Sequence, residues 1–304
     1  MTFEAGIDTL SYPEKGRVED DFDGVIKENN LSGVDIVWYY MTEDGKKGKK
    51  VEEFSNGELW DTGLTSLPLG KYYIEYSIED SAGNRGMTTK ILTLQDTTGP
   101  TIKFEKEITM ESGKDVLDID QYYANGSVVN NYFGEMNFSD VNTVWYYMTE
   151  DGQKGEMVQE FSDGKLWGTT LKDLPLGKYY IEYHLDDKLG NIGIAHSILT
   201  LKDTIAPEIE LNGATSQTIV IGSGDEYEEL GATANDLRDG EIEVTSDNIR
   251  IDWFGDDGTT KWSVNAEDMT YDKSGHYNVI YKVSDANGNT KEVTRYVYVV
   301  EPTE

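Results

Sequence analysis

Cysteine is absent from the 304 residues, which removes disulfides, zinc–thiolate sites and cysteine nucleophiles together. Proline is scarce, at 6, against 31 glycines, so the chain is neither collagen-like nor a Pro-rich disordered stalk. No apolar run approaches the roughly 18 residues that a membrane-spanning helix needs. The start, Met1-Thr2-Phe3-Glu4, has no basic stretch and no apolar run of a secretory leader, which fits a segment of a longer parent chain with neighbouring domains. Bases are few: 26 Lys and Arg against 58 Asp and Glu, a net charge of −32. Such a chain repels nucleic-acid phosphate and anionic lipid, so neither nucleic acid nor membrane insertion is expected of it. The acid excess reads either as a solvated surface that keeps the protein soluble or as specific cation sites.

What is present is tyrosine, 20 residues of it, together with valine, isoleucine and threonine, all suited to pleated, half-buried strands. Self-similarity then sets the organisation. The stretch Val34 to Pro100 aligns without gaps to Val141 to Pro207, a period of 107 residues, with roughly 40 of the 67 positions identical. Shared pieces include Trp38-Tyr39-Tyr40-Met41 with Trp145-Tyr146-Tyr147-Met148, and Leu69-Gly70-Lys71-Tyr72 with Leu176-Gly177-Lys178-Tyr179. A third, more distant copy keeps the frame: Gly275 precedes Tyr281 as Gly70 precedes Tyr76. Asp80, Asp187 and Asp285 each lead into a Gly-Asn pair.

The phase inside these blocks is that of a strand. Tyr72, Ile74, Tyr76 and Ile78 alternate with polar or outward residues, as do Tyr179, Ile181, Tyr183 and Leu185, and Tyr277, Val279, Tyr281 and Val283. The Asp-x-x-Gly-Asn that follows is turn chemistry, so each copy closes with a hairpin. Asp96-Thr97-Thr98-Gly99-Pro100 and Asp203-Thr204-Ile205-Ala206-Pro207 mark the boundaries, with proline stiffening a short link into an edge strand. Three β-sandwich domains are expected, 1–97, 98–204 and 205–304, in an elongated array.

The third copy resembles a known family. Pro207-Glu208-Ile209-Glu210-Leu211-Asn212-Gly213, Ala232-Thr233-Ala234-Asn235-Asp236, Asp239-Gly240-Glu241-Ile242, and Gly275-His276-Tyr277 through Asp285-Ala286-Asn287-Gly288-Asn289 look like the bacterial immunoglobulin-like domain named after a pesticidal crystal protein. The first two copies share only its closing hairpin and linker. The resemblance implies an all-β chain of three tandem immunoglobulin-like sandwiches. It further implies a stalk, spacer or adhesive module on the extracellular surface of a bacterium, attached to the cell wall or secreted.

Catalysis finds no support in the residues. His184, His196 and His276 do not repeat between copies, and no phosphate-binding glycine loop is present. Calcium is the sharper expectation, since it takes six to eight oxygen ligands. Asp236 and Asp239 lie in one loop of the third copy, Asp285 ends its penultimate strand, and Asp203 lies in the incoming link; in a sandwich these meet at one end. The first copy repeats the loop with Asp20 and Asp23, and Asp80 opposite. The second reads Tyr122-Tyr123-Ala124-Asn125-Gly126 at the comparable place, without acids. The alternative is that these aspartates only build turns. Trp38 and Trp145 are expected in the core. Trp60 and Trp167 are candidates either for capping a hairpin edge or for an exposed platform that binds a host or environmental glycan or protein.

Overall fold

The structure is a computed structural model of the chain and describes residues 1–10, 17–21, 24–28, 32–52, 59, 61–118, 126–159, 166–258 and 261–303. Two compact units share the chain: Met1–Lys106 with Tyr123–Val144 and Ile181–Ser197, and Glu107–Tyr122 with Trp145–Tyr180 and Ile198–Glu304. Strands Gly177–Asp186 and Ile192–Lys202 of the middle repeat run through both.

One sheet plan recurs three times. In the first repeat the spatial order is Thr2–Glu4, Arg85–Gln95, Gly70–Glu79, Asp35–Met41, Lys47–Lys50. In the second it is Glu107–Glu111, Ile192–Lys202, Gly177–Asp186, Asn142–Met148, Lys154–Met157. In the third it is Ser216–Val220, Thr290–Val300, Gly275–Ser284, Ile249–Gly255, Lys261–Val264. Every sheet begins with a short strand lying parallel to the last strand of its repeat, as in Thr2↔Thr93, Ile198↔Glu107 and Ser216↔Tyr296. A smaller layer accompanies each: the hairpin Arg17–Asp20 with Gly24–Glu28; Thr101–Lys103, Ser127–Asn130 and Gly134–Glu135; and Glu208–Leu211, Ala232–Asp236 and Gly240–Ile242. The chain is thus all-β, built of tandem immunoglobulin-like sandwiches.

The alternation read from the sequence sets the buried face. Tyr72, Ile74 and Tyr76 are buried, with Tyr73 and Glu75 only half so; Tyr179, Ile181, Tyr183 and Leu185 follow the same rule, as do Tyr277, Val279, Tyr281 and Val283. One departure occurs at the end of Gly70–Glu79, where Ser77 is buried and Ile78 half-buried. There the Arg85 guanidinium donates to the Ser77 hydroxyl, so a polar atom can sit inside with its hydrogen bond made. Trp38 and Trp145 fill the core, each beside a tyrosine (Tyr72 at 6.0 Å, Tyr179 at 6.3 Å between ring centres).

The third sandwich holds its core with an additional device. Arg295 is 1% exposed. It donates to the Asn212 carbonyl at 2.6 Å, the Tyr227 hydroxyl at 3.1 Å and Glu229 Oε1 at 3.2 Å, while the Tyr281 hydroxyl donates to the same Glu229 oxygen. A guanidinium taken out of water needs this much partnering. Removing the cation leaves the Glu229 carboxylate without its counter-charge and the Asn212 carbonyl without this donor. Arg295→Ala is therefore expected to weaken the third sandwich by about 3–5 kcal/mol, the cost of breaking a buried pair from one side, measured as a shift of its transition in urea unfolding. A change within about 0.5 kcal/mol would mean that the network contributes nothing.

Candidate functional site

The chemistry of this chain gathers where one repeat hands over to the next. After Lys202 the strand ends and the link Asp203-Thr204-Ile205-Ala206-Pro207 begins. Two elements hold it directly, and a third braces its surroundings. From the start of the second repeat, Glu111 accepts hydrogen bonds from the Thr204 N–H and, at 3.0 Å, from its hydroxyl. From the turn after Gly275–Ser284, Asn289 Nδ2 donates to the Asp203 carbonyl at 3.2 Å and Asn287 Nδ2 to Asp203 Oδ2 at 2.6 Å. From the turn after Ala232–Asp236, Arg238 reaches back to the Leu174 carbonyl at 2.8 Å and to the Ser112 hydroxyl.

The earlier joint is built the same way, 107 residues upstream. Glu4 accepts from the Thr97 N–H and from the hydroxyls of Thr97 and Thr98. Asn191 Nδ2 donates to the Asp96 carbonyl at 3.1 Å. The Tyr132 hydroxyl donates to the Leu67 carbonyl at 2.9 Å, taking the part of Arg238 on Leu174. Gly6 and Gly113, also one period apart, sit at φ +75° and +78°. A Cβ on Gly6 would lie 1.7 Å from the Asn131 carbonyl oxygen, and one on Gly113 2.5 Å from that of Leu237. Only glycine meets both the positive φ and the close approach.

The carboxylates converge at the second joint. Asp203, Asp236 and Asp239 each bring an oxygen within 4.8 Å of the others. Asp236 is 2% exposed; its Oδ1 accepts from the N–H groups of Arg238 (2.8 Å) and Asp239 (2.9 Å), and its Oδ2 is buried without a hydrogen-bond partner. Asp239 is exposed and its Oδ2 accepts from Ala286 N–H at 2.8 Å. Asp285 is committed to its own turn, accepting from Asn287 N–H, Asn289 N–H and Asn289 Nδ2 at 2.7–2.9 Å. Burial, with Asp236 and Asp285 adding like charge, holds the Asp203 carboxyl above its usual range against the Asn287 hydrogen bond. For Asp285, burial pushes up but the Asn289 hydrogen bonds win, and its carboxyl lies below that range.

The other expected residues are dispersed. Asp20 stands in register with Gly24, as Asp236 does with Gly240, though its side chain lies outside the description. Asp23 and Trp60 lie outside the described residues. Asp80 is half-buried and bonded within its turn, to Asn84 at 2.7 Å. Trp167 is half-buried and makes contacts with its surroundings. The second-repeat stretch 122–126 is not the counterpart of the Asp236 loop. The register Asn130↔Gly134 matches Asp236↔Gly240, so Asn130 takes the place of Asp236 and Phe133 that of Asp239. Segments of different length precede the two hairpins, and counting along the chain goes astray.

Residues 209–299 match the family model described as "Bacterial surface protein, Ig-like domain". That stretch is similar to the Ig-like domains of bacterial surface proteins. The matched domain supplies the Asp236 and Asp285 turns of the second joint. No curated relative matches the chain in sequence. Among solved structures, human CDH23 EC21-23 aligns at TM-score 0.32 and 9% identity, covering 97% of this chain and 96% of that one. Protocadherin Gamma B2 extracellular cadherin domains 3-6 align at 0.29 and 10%, covering 98% and 71%. Among the described residues no helix is long and apolar enough to cross a membrane.

Two outcomes follow for the joints. Burial pushes the Glu111 carboxyl up, but hydrogen bonds from Thr204 and from Lys202 outweigh it, leaving it below the usual glutamate range. A carboxylate depressed in the fold contributes stability that is complete above its unfolded pKa and lost as pH falls through the folded one. Unfolding temperature is expected to drop on acidification below about pH 4.5, and Glu111→Gln to flatten that part of the curve; an unchanged acid slope in the variant contradicts the assignment. Gly113→Val is expected to open the link Asp203–Pro207 to limited proteolysis, read by mass spectrometry, whereas a link as resistant as wild type would mean that the approach to Leu237 is dispensable.

Proposed function

We propose that this segment is a non-catalytic spacer in an extracellular surface protein of a bacterium, with domain limits 1–97, 98–204 and 205–304. The observation that carries this reading is where the repeated polar residues go. Glu4 and Glu111, Asp96 and Asp203, Asn191 and Asn289, and Gly6 and Gly113 all serve the two joints. A chain that commits its repeated polar side chains to holding short proline links is built for connection between neighbouring domains. The family match on residues 209–299 supports a place on the cell surface.

A second reading rests on the outer sheet faces. Tyr39 lies opposite Tyr73, with the Lys47 ammonium 4.0 Å from the Tyr39 ring centre, and Lys154 stands 4.0 Å over Tyr146 in the next repeat. In the third sandwich Phe254 and His276 stack at 5.0 Å and 6°. Flat rings beside polar groups suit sugar faces, and a duplicated module could bind a glycan or protein bivalently. Cross-strand aromatic pairs also stabilise sheets without any ligand.

A glycan array probed with the whole chain separates the two. The spacer reading expects no signal above background, with wild type and Trp167→Ala indistinguishable. A defined glycan retained by wild type and lost on Trp167→Ala or Tyr146→Ala would replace the spacer with the binding module.

A further inference from the structure

Both joints bury an aspartate at the start of the link, but they neutralise it differently. At the first joint the groups around Asp96 and Asp187 are amides and rings. Asn131 Nδ2 donates to Asp96 Oδ1 at 3.3 Å, and Asn130, 1% exposed, directs Nδ2 to Asp187 Oδ2 at 3.4 Å. Asp96 Oδ2 is left without a partner there too, but with Asn130 and Phe133 in place of two acids no third carboxylate joins it. At the second joint the corresponding positions are Asp236 and Asp239, and the counterpart of Asn131 is Leu237, which brings no amide. Three carboxylates then share a space 4.8 Å across.

We infer that the Asp203–Asp236–Asp239 cluster is a calcium site that locks the second joint, while the first joint is held by amides and takes no ion. Apart from the convergence itself, a separate observation points to a ligand: the Asp236 Oδ2 atom is buried and unpaired in a side chain that is 98% enclosed, while its sister oxygen is taken by two backbone N–H groups. A buried carboxylate oxygen without a donor is costly unless a cation or donor meets it. The donor set is all oxygen, which suits a hard cation. Asp239 lies on the exposed side, where water can complete the six to eight ligands that calcium takes and that magnesium's tighter octahedron does not need. An ion here would tie the link (Asp203) to the hairpin turn of the third sandwich (Asp236, Asp239), adding to the bonds by which Asn287 holds the link to the closing turn and Arg238 holds that hairpin to Leu174 and Ser112. Asp285, its oxygens occupied in the turn, would act from behind as an additional negative charge. This inference is independent of the spacer reading, since a joint can bind calcium whether the chain connects or recognises.

The test is hydrogen–deuterium exchange of the whole chain in EDTA and in calcium chloride at about 10 mM, well above the 10⁻⁴–10⁻³ M range of extracellular calcium modules. Calcium is expected to slow exchange at least several-fold in peptides covering 203–207, 236–240 and 285–289, and to leave those covering 96–100 and 130–134 unchanged. Asp239→Asn, a substitution at an exposed position with little risk to folding, is expected to abolish the difference; Asp236→Asn should do the same, with circular dichroism reporting the fold. No protection by calcium, equal protection at both joints, protection by magnesium alone, or protection that survives Asp239→Asn would each overturn the site.

Discussion

The structure depends on an aspartate that cannot be left alone. Asp96 and Asp203 each open a link, and each is more than nine-tenths buried. Burying a carboxylate requires donors or a counter-ion around it. The chain meets this by gathering three separate elements around the link: the strand of the preceding repeat that ends in the glutamate, the closing-hairpin turn of the following repeat with its asparagine, and the small hairpin beside it. The result is that a five-residue connection, which in isolation would be a flexible tether, becomes hydrogen-bonded structure. Proline at its end then enters an edge strand, Thr101–Lys103 or Glu208–Leu211, where its missing N–H is harmless.

The two joints therefore share one scheme and differ in the charge they leave over. Arg238 and Tyr132 illustrate how the same place can be filled by different chemistry. Both reach a backbone carbonyl of the preceding repeat, Leu174 and Leu67, which lie one period apart. A carbonyl asks only for a donor, so a guanidinium and a phenol serve equally. The acid positions are less forgiving. Asn130 carries its own donors and gives one to Asp187, although Asp96 Oδ2 stays unmet; Asp236 brings no donor and adds an unmet oxygen of its own. The distinction between the joints comes down to the carboxylates: Asp236 and Asp239 stand at the second where the first has Asn130 and Phe133.

Much of this was legible from residues alone. Alternation of Tyr72, Ile74 and Tyr76 gave the buried face because period 2 leaves little freedom once one face is covered. Asp203, Asp236 and Asp239 could be placed together because hairpin turns and incoming links share one end of a sandwich. Other features left weaker traces. Glu4 and Glu111 stand 107 residues apart, each two residues before a glycine, but they fall outside the block where the repeats align without gaps. Extending the period upstream of Val34 would have found them. Asn130 was missed because the segments before the small hairpins differ in length, and only strand register relates it to Asp236. Arg238 had no signature, since its target is backbone. Ser77 broke the alternation through a single hydrogen bond from Arg85, a tertiary effect that local periodicity does not carry.

If the links are structure rather than tether, their backbone must move no more than the strands do. Nitrogen-15 relaxation of the amides of Thr97, Thr98, Thr204 and Ile205 measures this directly. Order parameters of about 0.85, equal to those of the flanking strands, are the predicted result. Values below about 0.6, typical of flexible backbone, would contradict the account.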